Sequence, residues 1–304
     1  MFRVFSAEKV QRGSIFISTF YQTFLRTTDS RGHGNDHTLQ LGLTYGMTHS
    51  LELTARLVPY QEDQIHDFGV PGDTEVGIKW RTPFSTMSLA TGLRGFIVLP
   101  TGRSHNVPFE PYSSGKLSWG AMSMITLNVG ESYPLKVYAN VGYLDHNITT
   151  IFSNESTDQL LLGVGLKIPI QPFIMYTEYT GEIFINNKAV DFKDNSMRVT
   201  QGFKFRGPFR TTMDFGVDIG LSRNLNPVPH PLIHDYANWK VFAGFSYQIT
   251  TDRVYGKVQS ASKTAAKEES KILDEIKRKR EQADKDLEEM KKKLEEGEKK
   301  PENK

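Results

Sequence analysis

The sequence predicts an all-β protein, a 12-stranded antiparallel transmembrane β-barrel followed by a C-terminal charged α-helix, and three observations carry that expectation. The first is a two-residue alternation. Leu39, Leu41, Leu43, Tyr45 and Met47 alternate with Thr38, Gln40, Gly42, Thr44 and Gly46, and Leu51, Leu53, Ala55 and Leu57 alternate with Glu52, Thr54 and Arg56. Side chains on a strand point to opposite faces in turn, so each segment has one apolar and one polar face. The second is spacing. Such segments of about ten residues, joined alternately by short turns and longer loops, are the pattern of a bacterial outer-membrane barrel. The third is a change of grammar after Thr251, where Lys, Glu, Asp and Ala take over.

The strands are expected at 14–27, 37–47, 50–60, 72–82, 87–100, 115–129, 133–145, 157–169, 172–185, 196–207, 210–223 and 238–250. Five connections are short (48–49, 83–86, 130–132, 170–171, 208–209) and carry turn residues such as Pro83, Gly130 and Gly207-Pro208. The six between them are longer: 28–36, 61–71, 101–114, 146–156, 186–195 and 224–237. Short turns belong to the periplasmic rim, and an even strand number places both termini there. Strand 4 should send Thr74, Val76, Ile78 and Trp80 out and Asp73, Glu75, Lys79 and Arg81 in. Strand 11 should send Met213, Phe215, Val217 and Ile219 out and Asp214 and Asp218 in. Both faces of strand 1 mix aromatic and polar residues, so its inward face is open. Tyr45, Tyr60, Trp80, Trp119, Tyr143, Phe205 and Trp239, near strand ends, are candidates for two interfacial girdles.

The domains are then a lead-in (1–13), the barrel (14–250), a linker (251–261), a charged helix or coiled coil (262–296) and a tail (297–304). Within the helix Leu273, Ile276, Ala283, Leu287, Met290 and Leu294 fall on three- and four-residue steps, broken by Arg280. That is a weak coiled-coil stripe. Leu273, Ile276, Leu287, Met290 and Leu294 are its candidate contacts to a periplasmic protein partner or to a second copy; a single solvated helix fits the composition equally.

Composition narrows the classes. A mean hydropathy of -0.43 is what alternation produces, since only every second barrel residue is apolar. No apolar run of about 18 residues exists for a membrane helix. A net charge of +2 speaks against a nucleic-acid partner. Cysteine is absent, which removes disulfides, thiolate catalysis and cysteine-ligated metals. The start, Met1-Phe2-Arg3-Val4-Phe5-Ser6, shows no signal-peptide core, so the chain reads as a mature form or one whose start lies upstream.

The motif Gly72-Asp73-Thr74-Glu75-Val76-Gly77-Ile78-Lys79-Trp80-Arg81, followed by Leu99-Pro100-Thr101-Gly102, resembles the outer-membrane barrels grouped under the meta-pathway of phenol degradation. Ala7-Glu8-Lys9-Val10-Gln11-Arg12-Gly13-Ser14 is similar to the segment leading into such barrels. The likeness covers residues 7–250 in pattern; the charged C-terminal helix is outside it. It implies a transporter or channel, some members being encoded beside aromatic-degradation genes.

The inward set is rich in charge: Arg56, Lys79, Arg81, Arg94, Lys116, Lys136, Lys167, Arg198, Lys204, Arg206 and Lys240 stand against Glu52, Asp73, Glu75, Glu178, Glu182, Asp214 and Asp218. Hairpin register puts Lys204 opposite Asp214, and is expected to set Glu75 opposite Arg94. Charges inside a membrane wall can only face inward. They imply either an ion-pair lattice that rigidifies a narrow barrel or a lumen that favours anionic solutes. Arg56, Lys79, Arg94, Tyr138, Glu178, Lys204 and Asp214 are the candidates for selectivity or constriction. The expected function is an outer-membrane channel or transporter for small hydrophilic or aromatic solutes. The alternatives are a barrel anchoring its periplasmic helix and a soluble β-protein with an internal cavity. The expected partners are outer-membrane lipid and a small-molecule solute, with no cofactor.

His33, His37, His66, His105, His146, His230 and His234 sit in or beside the predicted long loops, and His49 at a short turn. No pair has metal-ligand spacing in a fitting element: His230 and His234 would suit a helix, but Pro229 and Pro231 break one. No metal site is assigned. Ser104-His105-Asn106 and Asp145-His146-Asn147 hold hydrolase residue types, yet adjacent residues on extended chain point apart. No catalytic residue is assigned and no enzyme activity is expected.

Overall fold

The computed structural model describes residues 3–8, 10–28, 32–62, 69–86, 88–102, 115–129, 135–147, 158–170, 172–185, 191–222 and 237–250, with 279 and 282. The strands are β1 (Ser14–Thr28), β2 (Gly32–Gly46), β3 (Leu51–Gln61), β4 (Thr74–Arg81), β5 (Leu89–Leu99) and β6 (Ser118–Val129). They continue with β7 (Leu135–Asp145), β8 (Gln159–Ile170), β9 (Phe173–Phe184), β10 (Ser196–Arg206), β11 (Thr211–Gly220) and β12 (Trp239–Thr250). Each pairs antiparallel with its neighbours in the chain, and β1 closes against β12 from Ser14↔Thr250 to Leu25↔Trp239. A closed wall satisfies every ladder without an edge, which is what a hydrocarbon layer demands of a spanning sheet.

The two faces separate as the alternation requires. On β11, Phe215 is 51% and Ile219 49% exposed, while Asp214 and Asp218 between them are 2% and 0% exposed. On β4, Val76, Ile78 and Trp80 are exposed and Glu75 and Lys79 buried. The barrel is apolar outside and polar inside. Tyr45 and Trp80 near the short-turn rim, and Trp119 and Trp239 near the other, are exposed on its outer surface. Trp119 packs on Tyr143 at 5.6 Å and donates from Nε1 to Asp145. Phe205 packs on Phe173 at 5.5 Å.

Strand 1 resolves its ambiguity in an unexpected way: aromatic rings sit inside. Phe20 lies directly opposite Gly244, and the same pairing of an inward ring with a cross-strand glycine recurs at Phe96↔Gly120, Tyr176↔Gly202 and Phe242↔Gly216. A methyl group on Gly202 would meet the Tyr176 ring at 2.1 Å, and one on Gly120 the Phe96 ring at 2.3 Å. Each ring thus lies flat in the gap left by a missing side chain, stiffening the ladder while occupying little of the lumen.

Two features depart from expectation. The span 28–36 is not a long loop: β1 and β2 pair as far as Thr28↔Gly32. Residues 26–36 are polar or glycine in sequence, so no alternation marks them as strand; the backbone pairing shows it. In β3 a bulge opposite Leu39 and Leu41 takes up an extra residue beside Pro59, which has no N–H for the ladder. The turn joining β10 and β11 is left-handed at two side-chain-bearing residues, Phe209 (φ 55°) and Arg210 (φ 62°), with Thr211 N–H donating to Pro208. That is the twist a two-residue hairpin connection favours, here without asparagine or glycine.

Residues 1–250 form one compact unit and 251–304 another. The helix expected over 262–296, with its contacts Leu273, Ile276, Leu287, Met290 and Leu294, lies outside the described residues apart from Lys279 and Gln282, which are helical and exposed.

A candidate functional site inside the barrel

Every candidate lumen residue faces inward. Lys79, Arg94, Tyr138, Glu178 and Asp214 are buried, Lys204 is largely so, and Arg56 is half-exposed. Three clusters of inward charge stand out. Near the middle of β3–β5, Glu75 is shared by Arg56 at 2.9 Å and by Arg94. The Glu75–Arg94 contact is diagonal, since register sets Arg94 opposite Lys79 and Glu75 opposite Val98. Across β9–β11, Asp214 accepts from Lys204, its register partner, and from Tyr176 Oη at 2.6 Å. On β10–β11, Asp218 is held by Arg198 Nε at 2.7 Å and by Thr200 Oγ1 at 3.0 Å.

The lead-in proves to be the centre of the site. From Gly13, whose φ of 76° turns the chain off the wall, residues 10 to 3 run back into the lumen. Val10 N donates to Glu52 at 2.9 Å, and Lys79 Nζ donates to the carbonyls of Glu8 (2.9 Å) and Ser6 (3.3 Å). The Glu8 carboxylate pairs with Lys136. Ala7 N donates to Thr126 Oγ1 at 2.9 Å, and the Ala7 methyl is fully buried against Ala90, Met122 and Met124. Phe5 N donates to Asn140 Oδ1 at 2.7 Å while Asn140 Nδ2 returns a bond to Phe5 O at 2.9 Å. Arg3 N donates to Glu178 at 2.7 Å, and its guanidinium lies 3.5 Å from Asp218 and 3.7 Å from Glu182. The Arg94 guanidinium stacks 4.3 Å above the Phe5 ring. Strands β3, β4, β5, β6, β7, β9 and β11 all contribute partners, so the segment is held from around the wall.

Beyond Arg3 and Phe5, away from the short turns, the lumen widens into a cavity of about 260 Å³. Charged Arg56, Glu75, Arg94 and Glu182 line it together with apolar Phe96, Met122, Leu144 and Leu161. The arrangement can do two things chemically: obstruct passage, and present both charged and apolar groups to whatever enters.

Sequence reasoning placed the wall residues and missed the segment they grip. One signal was available: Glu178 has Gly165 and Thr200 as its register partners, so no cation on a neighbouring strand faces it directly. The histidines are dispersed. His37 belongs to β2, where Nδ1 meets Tyr21 Oη at 2.7 Å, and His146 is buried with Nε2 2.9 Å from Gln159 Oε1. His66, His105, His230 and His234, like Ser104 and Asn106, lie outside the described residues. Asp145 is occupied with Trp119 and with Asn147 N, so Asp145-His146-Asn147 is strand-end architecture. Among the described residues no cluster of metal-ligating side chains occurs.

No protein-family model matches the chain, so the family resemblance of the motif after Gly72 has no sequence match behind it. No curated protein matches it in sequence either. Solved structures do match in shape. The COG4313 outer membrane channel from Pseudomonas putida F1 aligns over 80% of this chain and 98% of its own, with 11% identity and a TM-score of 0.53. A KdgM porin aligns over 76% of this chain and 98% of its own, with 9% identity and a TM-score of 0.49. At these identities the likeness is one of fold: a closed outer-membrane-type β-barrel.

Proposed function

We propose that the protein is a bacterial outer-membrane channel for small hydrophilic or aromatic solutes, held shut by its own N-terminal segment. The barrel lies in lipid with its short turns and both termini toward the periplasm, and performs no chemistry on its solute. One observation carries the reading: residues 3–10 occupy the lumen on side-chain bonds, from Glu178, Asn140, Thr126, Glu52 and Lys79, rather than in a β-ladder. Each such bond is worth about 0.5–1.5 kcal/mol net, because water or a solute can replace it. A segment tethered at Gly13 and held in this way can leave without disturbing the wall. With the segment displaced, Arg56, Lys79, Arg94, Tyr138, Glu178, Lys204 and Asp214 line the path and set its selectivity. The apolar lining, with Phe96 and Met122, suits an aromatic ring.

The absence of cysteine makes a clean test. In Ala7→Cys/Thr126→Cys a disulfide would tie the segment to β6. In planar bilayers the oxidised protein should be silent, the reduced protein should show discrete conductance steps, and a variant lacking residues 3–8 should conduct more often. Silence in all three would overturn the reading. Arg94→Ala and Lys204→Ala should each lower anion preference; an unmoved reversal potential would remove them from the selectivity set.

A further inference from the structure

Among the described residues, the short-turn mouth of the lumen carries a cluster of cations that the acids beside it do not balance. Lys136 on β7 and Lys167 on β8 are direct register partners, both facing inward. Opposed pairs on one face have Cβ atoms roughly 4.5–5.5 Å apart, and like charges there repel. Lys204 on β10 approaches from the next pair of strands, with Nζ 5.4 Å from the ring centre of Tyr176, and Tyr176 is the register partner of Lys167. Arg206 stands two residues further along β10, at the rim. The charged groups acting on Lys167 are Lys204, Lys136 and Arg206, with Glu8 the one acid among them. Asp214 is engaged by Lys204 and Tyr176. Among the described residues the Lys167 ammonium makes no hydrogen bond or ion pair, although its side chain is half-buried.

A wall that places two lysines face to face, brings up a third and fourth cation and supplies one acid from a separate segment is built to hold an anion. We propose that Lys136, Lys167, Lys204 and Arg206 form a binding site for a small multivalent oxyanion of the phosphate type at this mouth. A phosphate carries about −1.5 charge at neutral pH and several strong acceptor oxygens, so it can take bonds from several cations at once. The side chains face the lumen, so the ligand comes from solution and not from a lipid headgroup. Glu8 of the N-terminal segment already holds Lys136, and the anion therefore competes with it for that ammonium. Occupancy weakens one of the contacts that keep the segment seated. This deepens the channel reading by naming the class of ligand met at the short-turn mouth and a means by which it favours opening.

The test is equilibrium dialysis of inorganic phosphate against the full chain, refolded in a neutral detergent, at constant ionic strength in sodium chloride. Saturable binding is expected. Lys167→Gln should weaken it about tenfold or more, the loss expected for a charge-assisted bond. Lys167→Arg keeps the charge and should retain binding, which separates loss of the site from loss of the fold. Glu8→Gln should tighten binding several-fold by removing the competitor. Absence of saturable binding, indifference to Lys167→Gln or to Glu8→Gln, or displacement by phosphatidylglycerol added to the micelles would each overturn the proposal. The readout involves no current, so a barrel that binds phosphate yet stays silent in bilayers refutes the channel reading alone, and one that conducts without binding refutes this site alone.

Discussion

The side-chain amide of Asn140 and the backbone of Phe5 bond each other twice, at 2.7 and 2.9 Å, 135 residues apart in the chain. One amide thus gives Phe5 the donor and acceptor that a neighbouring strand would give. Asn140→Ala removes both bonds. The closed state should lose about 1–3 kcal/mol, a shift in open-to-closed ratio of roughly 5- to 150-fold. Open probability in single-channel records checks this, and an unchanged value would mean that the segment is held elsewhere.

The ring-over-glycine pairs make a matched experiment. Gly202→Ala drives a methyl to 2.1 Å from the Tyr176 ring, whereas a methyl on Gly95 meets nothing within 4 Å. Gly202→Ala should cost about 1–3 kcal/mol, as overpacking does, and Gly95→Ala should be close to neutral. Urea unfolding of the two variants in the same detergent compares them directly; equal midpoints would refute the packing account.

The β10–β11 turn holds Phe209 at φ 55° with its ring 86% exposed. A bulky residue is strained there and gains no contact in return, while asparagine tolerates the conformation. Phe209→Asn should stabilise the barrel by about 0.5–1 kcal/mol, read as a higher urea midpoint. A fall would show that the ring has a partner at the rim.

His146, just past the end of β7, is buried, and desolvation lowers its pKa against the opposing pull of Gln159, Asp145 and Asp158. The unfolded chain, with an ordinary value near 6.5, takes the proton first. This group's contribution to stability is therefore complete above that pH and is lost as pH falls from about 6.5 toward the folded value. The NMR shift of the His146 ring carbon should titrate with a midpoint below the ordinary value of about 6.5. Titration at or above about 6.5 would contradict the burial.

How much of this was legible in the sequence depended on whether the information was periodic. The wall was legible because lipid enforces a period of two on every strand; Asp214, Asp218, Glu75 and Lys79 were placed on the correct face by counting alone. The Lys204–Asp214 pair followed from the hairpin turn, which fixes register. The face of β1 was not legible, because Phe20 points inward only by virtue of Gly244, more than two hundred residues away. The β1–β2 extension was hidden because residues 26–36 are polar or glycine throughout, so no apolar alternation marks them. The path of the N-terminal segment left almost no trace, since its partners are scattered over seven strands and share no spacing. Glu178, whose register partners are Gly165 and Thr200, was one trace of it in the wall.

The seam between β1 and β12 has a consequence for the order of assembly. Ser14 and Thr250 bond across 236 residues, so the ring cannot shut until the last strand has been made. Joining such distant residues carries the largest chain-entropy cost in the molecule. Arg3 cannot reach Glu178, Glu182 or Asp218 before β9 and β11 have arrived. The earliest residues are therefore among the last to settle: the N-terminal segment must wait, unshielded, through the synthesis of nearly everything it will later touch.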